Sequence, residues 1–238
     1  MDKQKVISTV RGVLSVRKDL IGIRTWPQPP AHIPRYEGSA FPGVCTQIGE
    51  ALAAGATFYT DREQCFCTGG MVSTGAAPPL SKQERDEMLE AHFAVSRAYR
   101  DVPTALHYED ALEGLFKEYP RPCSGIQVGP LGIVDEPELA IVFCTPAAAD
   151  ILSRTYCYVA GEPVQGFGGN GACPFLIRFP FVTGKPFFSY SDVAWRKYVG
   201  LADEELTVTF PYPTLVAVAG ALPDVAEAYR RYGEPPEE

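Results

Sequence analysis

Segments with the hydrophobic spacing of helices alternate irregularly along this chain with short apolar segments typical of strands. Near the N-terminus, residues 4–17 place Val6, Val10 and Leu14 at helical spacing, whereas Leu139–Cys144 is an unbroken apolar run of the kind found in a buried strand. The order of the two kinds of segment follows no strict repeat. The pattern therefore predicts an α+β fold with a mixed sheet rather than a wholly parallel one.

Turn residues and capping residues set the boundaries of the predicted elements. Ser81 is a predicted N-cap with Glu84 as its capping-box partner, and Pro213 is placed to open the last helix. Helices are predicted over residues 4–17, 46–54, 81–99 (the longest), 108–117, 147–156 and 213–230. Strands are predicted within residues 22–26, 56–59, 126–134, 139–144, 164–167, 175–179, 187–190 and 206–210.

The chain of 238 residues fits one large globular domain, which we expect to span residues 1–232. A helix of small residues, a short strand and a loop with glycine and cysteine occur in this order twice. This predicts two similar halves at about residues 1–104 and 105–232. Residues 233–238 are polar and rich in proline, so we expect a flexible tail there.

The net charge of −8 argues against a nucleic-acid partner, because polyanion binding needs a basic patch and no more than two basic residues are adjacent here. Anionic membrane surfaces are disfavoured for the same reason. The sequence shows neither a signal-peptide pattern nor about 20 consecutive apolar residues. We therefore expect a cytoplasmic protein that acts on a small molecule or with a redox partner. The sequence leaves a homodimer open.

Seven cysteines stand out in a chain expected to remain in a reducing compartment, and their odd number disfavours a complete set of disulfides. The most informative segment is Cys65-Phe66-Cys67-Thr68-Gly69-Gly70. Cys45 lies at a predicted loop–helix junction, and Cys173 follows a second glycine-rich loop that includes Gly171. We predict Cys45, Cys65, Cys67 and Cys173 as metal ligands, with Gly69, Gly70 and Gly171 lining the bound cofactor.

Three interpretations of these cysteines remain open at this point. Soft thiolate ligands suit an iron–sulfur cluster, and the same four thiolates suit zinc in a structural or sensor site. In the third interpretation they are plain thiols, and loops 27–43 and 166–171 shape a small-ligand pocket in a metal-free binding or assembly protein. Cys123 is a reserve ligand or a lone reactive thiol. Cys144 and Cys157 are predicted to pack as small hydrophobic residues.

Residues 166–171 formally match G-x-G-x-x-G, but the predicted strand at 175–179 follows where a dinucleotide site needs a helix. This argues against nucleotide binding. Arg24 and Arg178, each in a predicted strand near the cysteine loops, are candidates for orienting an anionic substrate.

Several motifs together resemble one protein family. They are Val44-Cys45-Thr46-Gln47, then Gln64-Cys65-x-Cys67-x-Gly69-Gly70, then Gly171-Ala172-Cys173 and Ala202-Asp203-Glu204-Glu205-Leu206. The family is the domain of unknown function 169 family, also called ArCR, found mainly in archaea and anaerobic bacteria. The resemblance implies no settled reaction. Its anaerobic distribution favours an iron–sulfur enzyme of redox or lyase type, although residues 189–195 lack cysteines that the family often carries there.

Overall fold

A seven-stranded sheet runs through the centre of the molecule, in the order β2-β3-β1-β4-β7-β6-β5. The computed structural model describes residues 1–39, 42–96, 98–115 and 117–232. All neighbouring strands are antiparallel except β5 and β6, which run parallel. The predicted α+β fold with a mixed sheet is therefore confirmed. The tail predicted at residues 233–238 lies outside the described residues.

The described elements have the following bounds. The strands are β1 (Ile21–Trp26), β2 (Phe58–Asp61), β3 (Gly125–Pro130), β4 (Leu139–Cys144), β5 (Gln165–Phe167), β6 (Phe187–Ser189) and β7 (Leu206–Pro211). The helices are α1 (Lys3–Leu14), α2 (Val44–Ala54), α3 (Thr68–Thr74), α4 (Lys82–Ser96), α5 (Val102–Leu115), α6 (Pro146–Ala160), α7 (Phe179–Thr183), α8 (Val193–Val199) and α9 (Tyr212–Arg230). A π-helical turn, Pro174–Arg178, leads directly into α7.

Strand β4 shows why the sheet carries helices on both faces. All six of its residues are buried, and successive side chains of a strand point to opposite faces. Val142 and Cys144 pack into a core with α1, α6 and α9. Ile141 and Phe143 pack into a second core with α2, α8 and the π-helical turn. An apolar run without alternation is thus the mark of a strand buried between two helix layers.

Side-chain caps confirm several predicted helix starts. The backbone N–H of Ser81 donates to Glu84 Oε2 at 2.9 Å, and the Glu84 N–H donates back to Ser81 Oγ at 3.3 Å. Thr145 accepts the N–H of Ala148 at the start of α6, where Pro146 occupies the first turn. These contacts satisfy N–H groups that a helix leaves without internal partners.

The strand predicted at residues 175–179 is wrong, because the π-helical turn and α7 occupy that segment. Four of the five residues of the π-helical turn are buried, and a segment buried on nearly all sides shows no periodicity that separates helix from strand. Pro174 and Pro180, each in a first turn, are the local signal for helix. Besides α7, two further short helices, α3 and α8, were not predicted, and α9 rather than α4 is the longest described helix.

None of the helices within the described ranges is both long and apolar enough to cross a membrane.

Candidate thiol site

Three cysteines lie at the starts of helical segments on the same face of the sheet. Cys45 is in the first turn of α2, Cys67 is the N-cap of α3, and Cys173 directly precedes the π-helical turn. A Cβ placed on Gly43 would lie 3.4 Å from Cys45 Sγ and 3.5 Å from Cys67 Cβ, so both cysteines flank this glycine. Two residues predicted as ligands from separate loops are thus brought side by side.

Cys67 and Cys173 pack at the same core cluster, and each side chain changes the pKa of the other. The Cys173 thiol donates a hydrogen bond to Cys67, which lowers the pKa of Cys67 below its usual range because the donor stabilises the thiolate. Burial opposes this shift, while the N–H of Gly70, 3.3 Å from Cys67 Sγ, adds to it. Cys67 is half-buried, so it is the more accessible partner of a thiol pair that spans two distant parts of the chain.

The other thiols of the group are held in the protonated form. The contact with Cys67 raises the pKa of Cys173 well above its usual value, and burial acts in the same direction. Burial raises the pKa of Cys45 to about 12, and the nearby Cys67 and Asp192 contribute because they disfavour a further negative charge. The site therefore contains one thiol that ionises readily beside two that do not.

Cys65 belongs to the same sequence segment as Cys67 but differs from it in ionisation. It is buried, and burial raises its pKa to about 12. Both the backbone N–H and the side chain of Cys67 act on the pKa of its thiol. The pKa values of Cys65 and Cys67 thus move in opposite directions although the two residues are only two positions apart.

The geometry required of a metal site can be tested on these side chains. Within the ranges that the structure describes, no group of three or more His, Cys, Asp or Glu residues is arranged to hold a metal ion. The thiol pair alone supplies two ligands, fewer than the four that structural zinc and iron–sulfur clusters usually have. As they stand, these side chains do not fit such a group, and the predicted four-cysteine site stays a prediction.

The three predicted site glycines differ in what they do. A Cβ on Gly70 would lie 2.7 Å from Val44 Cγ2 and 3.3 Å from Cys67 Sγ, so this position has no room for a side chain. Gly69 is exposed, and a Cβ there would meet nothing within 4 Å. Gly171 has a φ of +82°, a backbone conformation that glycine adopts readily.

Asp192 was missed in the sequence and organises one side of the site. Its Oδ2 accepts the N–H groups of Gly171 at 3.1 Å and Ala172 at 2.7 Å, while its Oδ1 accepts the N–H of Trp195 at 2.7 Å as the N-cap of α8. The N–H groups with which a glycine-rich loop can bind phosphate are thus engaged by the protein's own carboxylate. An aspartate just before a short amphipathic segment was the available signal.

The two arginines predicted to orient a substrate both form ion pairs with glutamates of the protein. Arg24 lies on the opposite face of β1 from Ile23, which packs in the same core as Cys173, and it forms a 2.9 Å ion pair with Glu136. Arg178 is buried in the π-helical turn and forms a 3.2 Å ion pair with Glu113. Neither guanidinium is directed at the thiol pair by a hydrogen bond or ion pair within the described residues.

The remaining cysteines are separate from the thiol pair. Cys123 donates to the carbonyl oxygen of Thr74 at 3.5 Å, and burial raises its pKa to about 11, which disfavours a reactive thiolate. Cys144 is buried in the core next to α1, α6 and α9, as predicted. The prediction for Cys157 is wrong: it lies on the exposed side of α6, one position beyond the buried Tyr156.

Comparison with known proteins adds a family but no activity. A search of curated proteins and a search of solved structures each found no match to this chain. The model of one protein family, described as uncharacterised ArCR, matches residues 11–220, which include all four predicted cysteine ligands and Asp192. The chain therefore belongs to the domain of unknown function 169 family.

Proposed function

We propose that this protein performs thiol–disulfide exchange through Cys67 and Cys173. The packing of both residues at one core cluster, where each changes the pKa of the other, supports the proposal most directly, because a reversible disulfide requires two thiols within reach of each other. The two residues also differ in the way that the reaction needs. Cys67 ionises readily and is half-buried, as suits the attacking thiol, whereas Cys173 is buried and protonated, as suits the resolving thiol.

In the proposed reaction the Cys67 thiolate attacks one sulfur of a substrate disulfide and releases the other sulfur as a thiolate. The sulfur of Cys173 then attacks Cys67 and loses its proton to solvent. The bond between Cys67 and the substrate breaks, the Cys67–Cys173 disulfide forms, and the second substrate thiolate leaves. Two electrons pass from the protein dithiol to the substrate disulfide, and the reverse direction oxidises a substrate dithiol.

Reaction with glutathione disulfide tests this proposal. A Cys157→Ala background removes the exposed thiol that would react by itself. In that background we expect the protein to form an internal disulfide, Cys67→Ala to lose the fast reaction, and Cys173→Ala to retain one glutathione on Cys67 in the intact mass spectrum. Equal rates with and without Cys67, or no trapped glutathione in Cys173→Ala, would contradict the proposal.

The same segment supports a second candidate, an iron–sulfur or zinc site on Cys45, Cys65, Cys67 and Cys173 in redox or small-molecule metabolism. In its favour, Cys45 flanks Gly43 beside Cys67, and the N–H of Gly70 points at a sulfur atom, as N–H groups do around clusters. Such a site would require the sulfur atoms of all four cysteines to converge on one centre, which the described side chains do not do as they stand.

Metal analysis after purification without oxygen separates the two candidates. Iron with inorganic sulfide supports a cluster, and zinc without sulfide supports a zinc site. Protein that contains neither, even after anaerobic reconstitution with iron and sulfide or with zinc, contradicts both forms of the second candidate.

A further inference from the structure

A cavity of about 340 Å³ lies between α3, α4, α5 and the π-helical turn. Gly69 and Pro174 form part of its wall, so it adjoins the segments that carry Cys67 and Cys173. Its volume is at the lower end of the range of small-molecule pockets. The apolar part of the wall consists of Val72, Leu80, Met88, Leu112 and Pro174.

Two cations of α4 line the cavity, and both are already paired. Lys82 Nζ lies 2.6 Å from Asp86. Arg85 lies 2.9 Å from Asp86 and 2.5 Å from Asp110, a residue of α5. The contact between Arg85 and Asp110 connects α4 to α5. Because both cations are already neutralised by carboxylates, neither favours the binding of an anionic ligand.

The third cation, Arg178, is fixed from several directions. Its Nη1 lies 3.2 Å from Glu113 Oε1, its Nε donates to the carbonyl oxygen of Glu118 at 2.8 Å, and its guanidinium lies 3.6 Å from the centre of the Tyr119 ring. The hydroxyl of Tyr119 donates to Glu113 Oε2 at 2.6 Å, which completes a closed arrangement. Arg178 therefore stabilises the wall of the cavity, and its guanidinium is not directed at a ligand.

Two carboxylates line the cavity, and Glu109 is the one that takes part in none of these ion pairs. It lines the cavity from α5 and makes no hydrogen bond or ion pair with any residue that the structure describes. Arg85, the cation that acts on it electrostatically, is engaged by Asp86 and Asp110. Burial raises the pKa of Glu109, because the wall withholds water that would solvate the charge.

We propose that this cavity binds a small organic cation, a primary amine with a short apolar body, whose ammonium group pairs with Glu109. The three cations of the wall form their ion pairs with three carboxylates other than Glu109. Glu109 therefore adds a negative charge that no cation of the wall neutralises. A charged hydrogen bond from an ammonium group would compensate the partly desolvated carboxylate. The apolar body of the ligand would contact Val72 and Leu112. The proposal uses other residues than the thiol exchange and does not rest on it.

Calorimetric titration at constant ionic strength with n-butylamine, butyrate and n-butanol as probes tests this assignment. We expect saturable binding of n-butylamine, with butyrate and n-butanol at least tenfold weaker. Glu109→Gln should weaken n-butylamine binding at least tenfold. Glu90→Gln, which changes an exposed carboxylate of α4 outside the cavity, should leave it unchanged.

A second variant keeps the test independent of any effect of Glu109 on folding. Gly69→Leu introduces a side chain at the cavity wall where a Cβ meets nothing within 4 Å, so we expect it to fold and to block n-butylamine. No saturable binding to the unaltered protein at millimolar amine would overturn the proposal. Equal affinity in Glu109→Gln, unimpaired binding in Gly69→Leu, or tighter binding of butyrate than of n-butylamine would overturn it as well.

Discussion

Gly70 determines how closely the first turn of α3 approaches Val44 of α2. A Cβ at this position would lie 2.7 Å from Val44 Cγ2, and the first turn of α3 would have to move. We expect Gly70→Ala to reduce the free energy of unfolding by about 1–3 kcal/mol, the usual cost of an overpacked core. Urea unfolding measures this. Gly69→Ala is the matched control, since its Cβ meets nothing within 4 Å; equal stability of the two variants would contradict the described packing.

The ionisation of Cys67 depends on Cys173. The hydrogen bond from Cys173 lowers the pKa of Cys67, so removing it in Cys173→Ala should raise that pKa. Since iodoacetamide reacts with the thiolate, the pH profile of Cys67 alkylation should move to higher pH, and the rate at neutral pH should fall several-fold. Peptide mass spectrometry in the Cys157→Ala background follows the single residue. Cys123→Ala is the control, and a profile that is the same in both variants would argue against the thiol contact.

Asp192 joins two elements, the glycine-rich loop before Cys173 and helix α8. Asp192→Ala removes three N–H acceptor contacts, so we expect a loss of about 1–2 kcal/mol of stability. The same change removes a negative charge that raises the pKa values of Cys45 and Cys67, so Cys67 should react faster with iodoacetamide.

Asp2→Ala provides the comparison, because Asp2 is also an N-cap but caps α1, on the other face of the sheet from Cys67. It should lower stability without changing the reactivity of Cys67. If both variants leave Cys67 equally reactive, Asp192 does not act on the thiol site.

Helices and strands marked by a capping residue, a proline or an apolar run were predictable from the sequence. Elements whose conformation depends on tertiary packing were not. The apolar run of β4, the capping box of α4 and the proline at the start of α6 identify these elements without tertiary information. The π-helical turn is buried on nearly all sides, so its sequence lacks periodicity. α3 begins with Gly69 and Gly70 in its first turns, and a pair of glycines favours a loop prediction.

At the scale of the whole molecule, the sequence indicated the cysteine loops as a candidate site, whereas the proximity of Cys67 and Cys173 could not be predicted from it. Glycine and cysteine in loops marked Cys67 and Cys173 from the sequence. The fold brings Cys173 from a distant segment to the neighbourhood of Cys67, because both pack at the same core cluster on one face of the sheet. The sequence signal for Asp192 identifies a helix N-cap, but its contacts with the loop before Cys173 depend on the tertiary arrangement.

A Cys67–Cys173 disulfide would connect the two ends of a segment of roughly 100 residues. Closing a loop of this length restricts the unfolded chain, so oxidation should raise the free energy of unfolding by about 2–4 kcal/mol. Urea unfolding of the oxidised and reduced protein measures the difference. Cys67→Ala, exposed to the same oxidant, should show no gain; a gain of the same size in that variant would assign the effect to other cysteines.

The thiol pair is the centre of this account, and a redox titration tests it most directly. Protein purified without oxygen is equilibrated with mixtures of reduced and oxidised glutathione, alkylated, and mapped by peptide mass spectrometry. We predict that Cys67 and Cys173 become linked to each other in one two-electron transition, while Cys45, Cys65, Cys123 and Cys144 remain thiols. A different cysteine pair, or Cys67 and Cys173 that stay reduced at every ratio, would contradict the account.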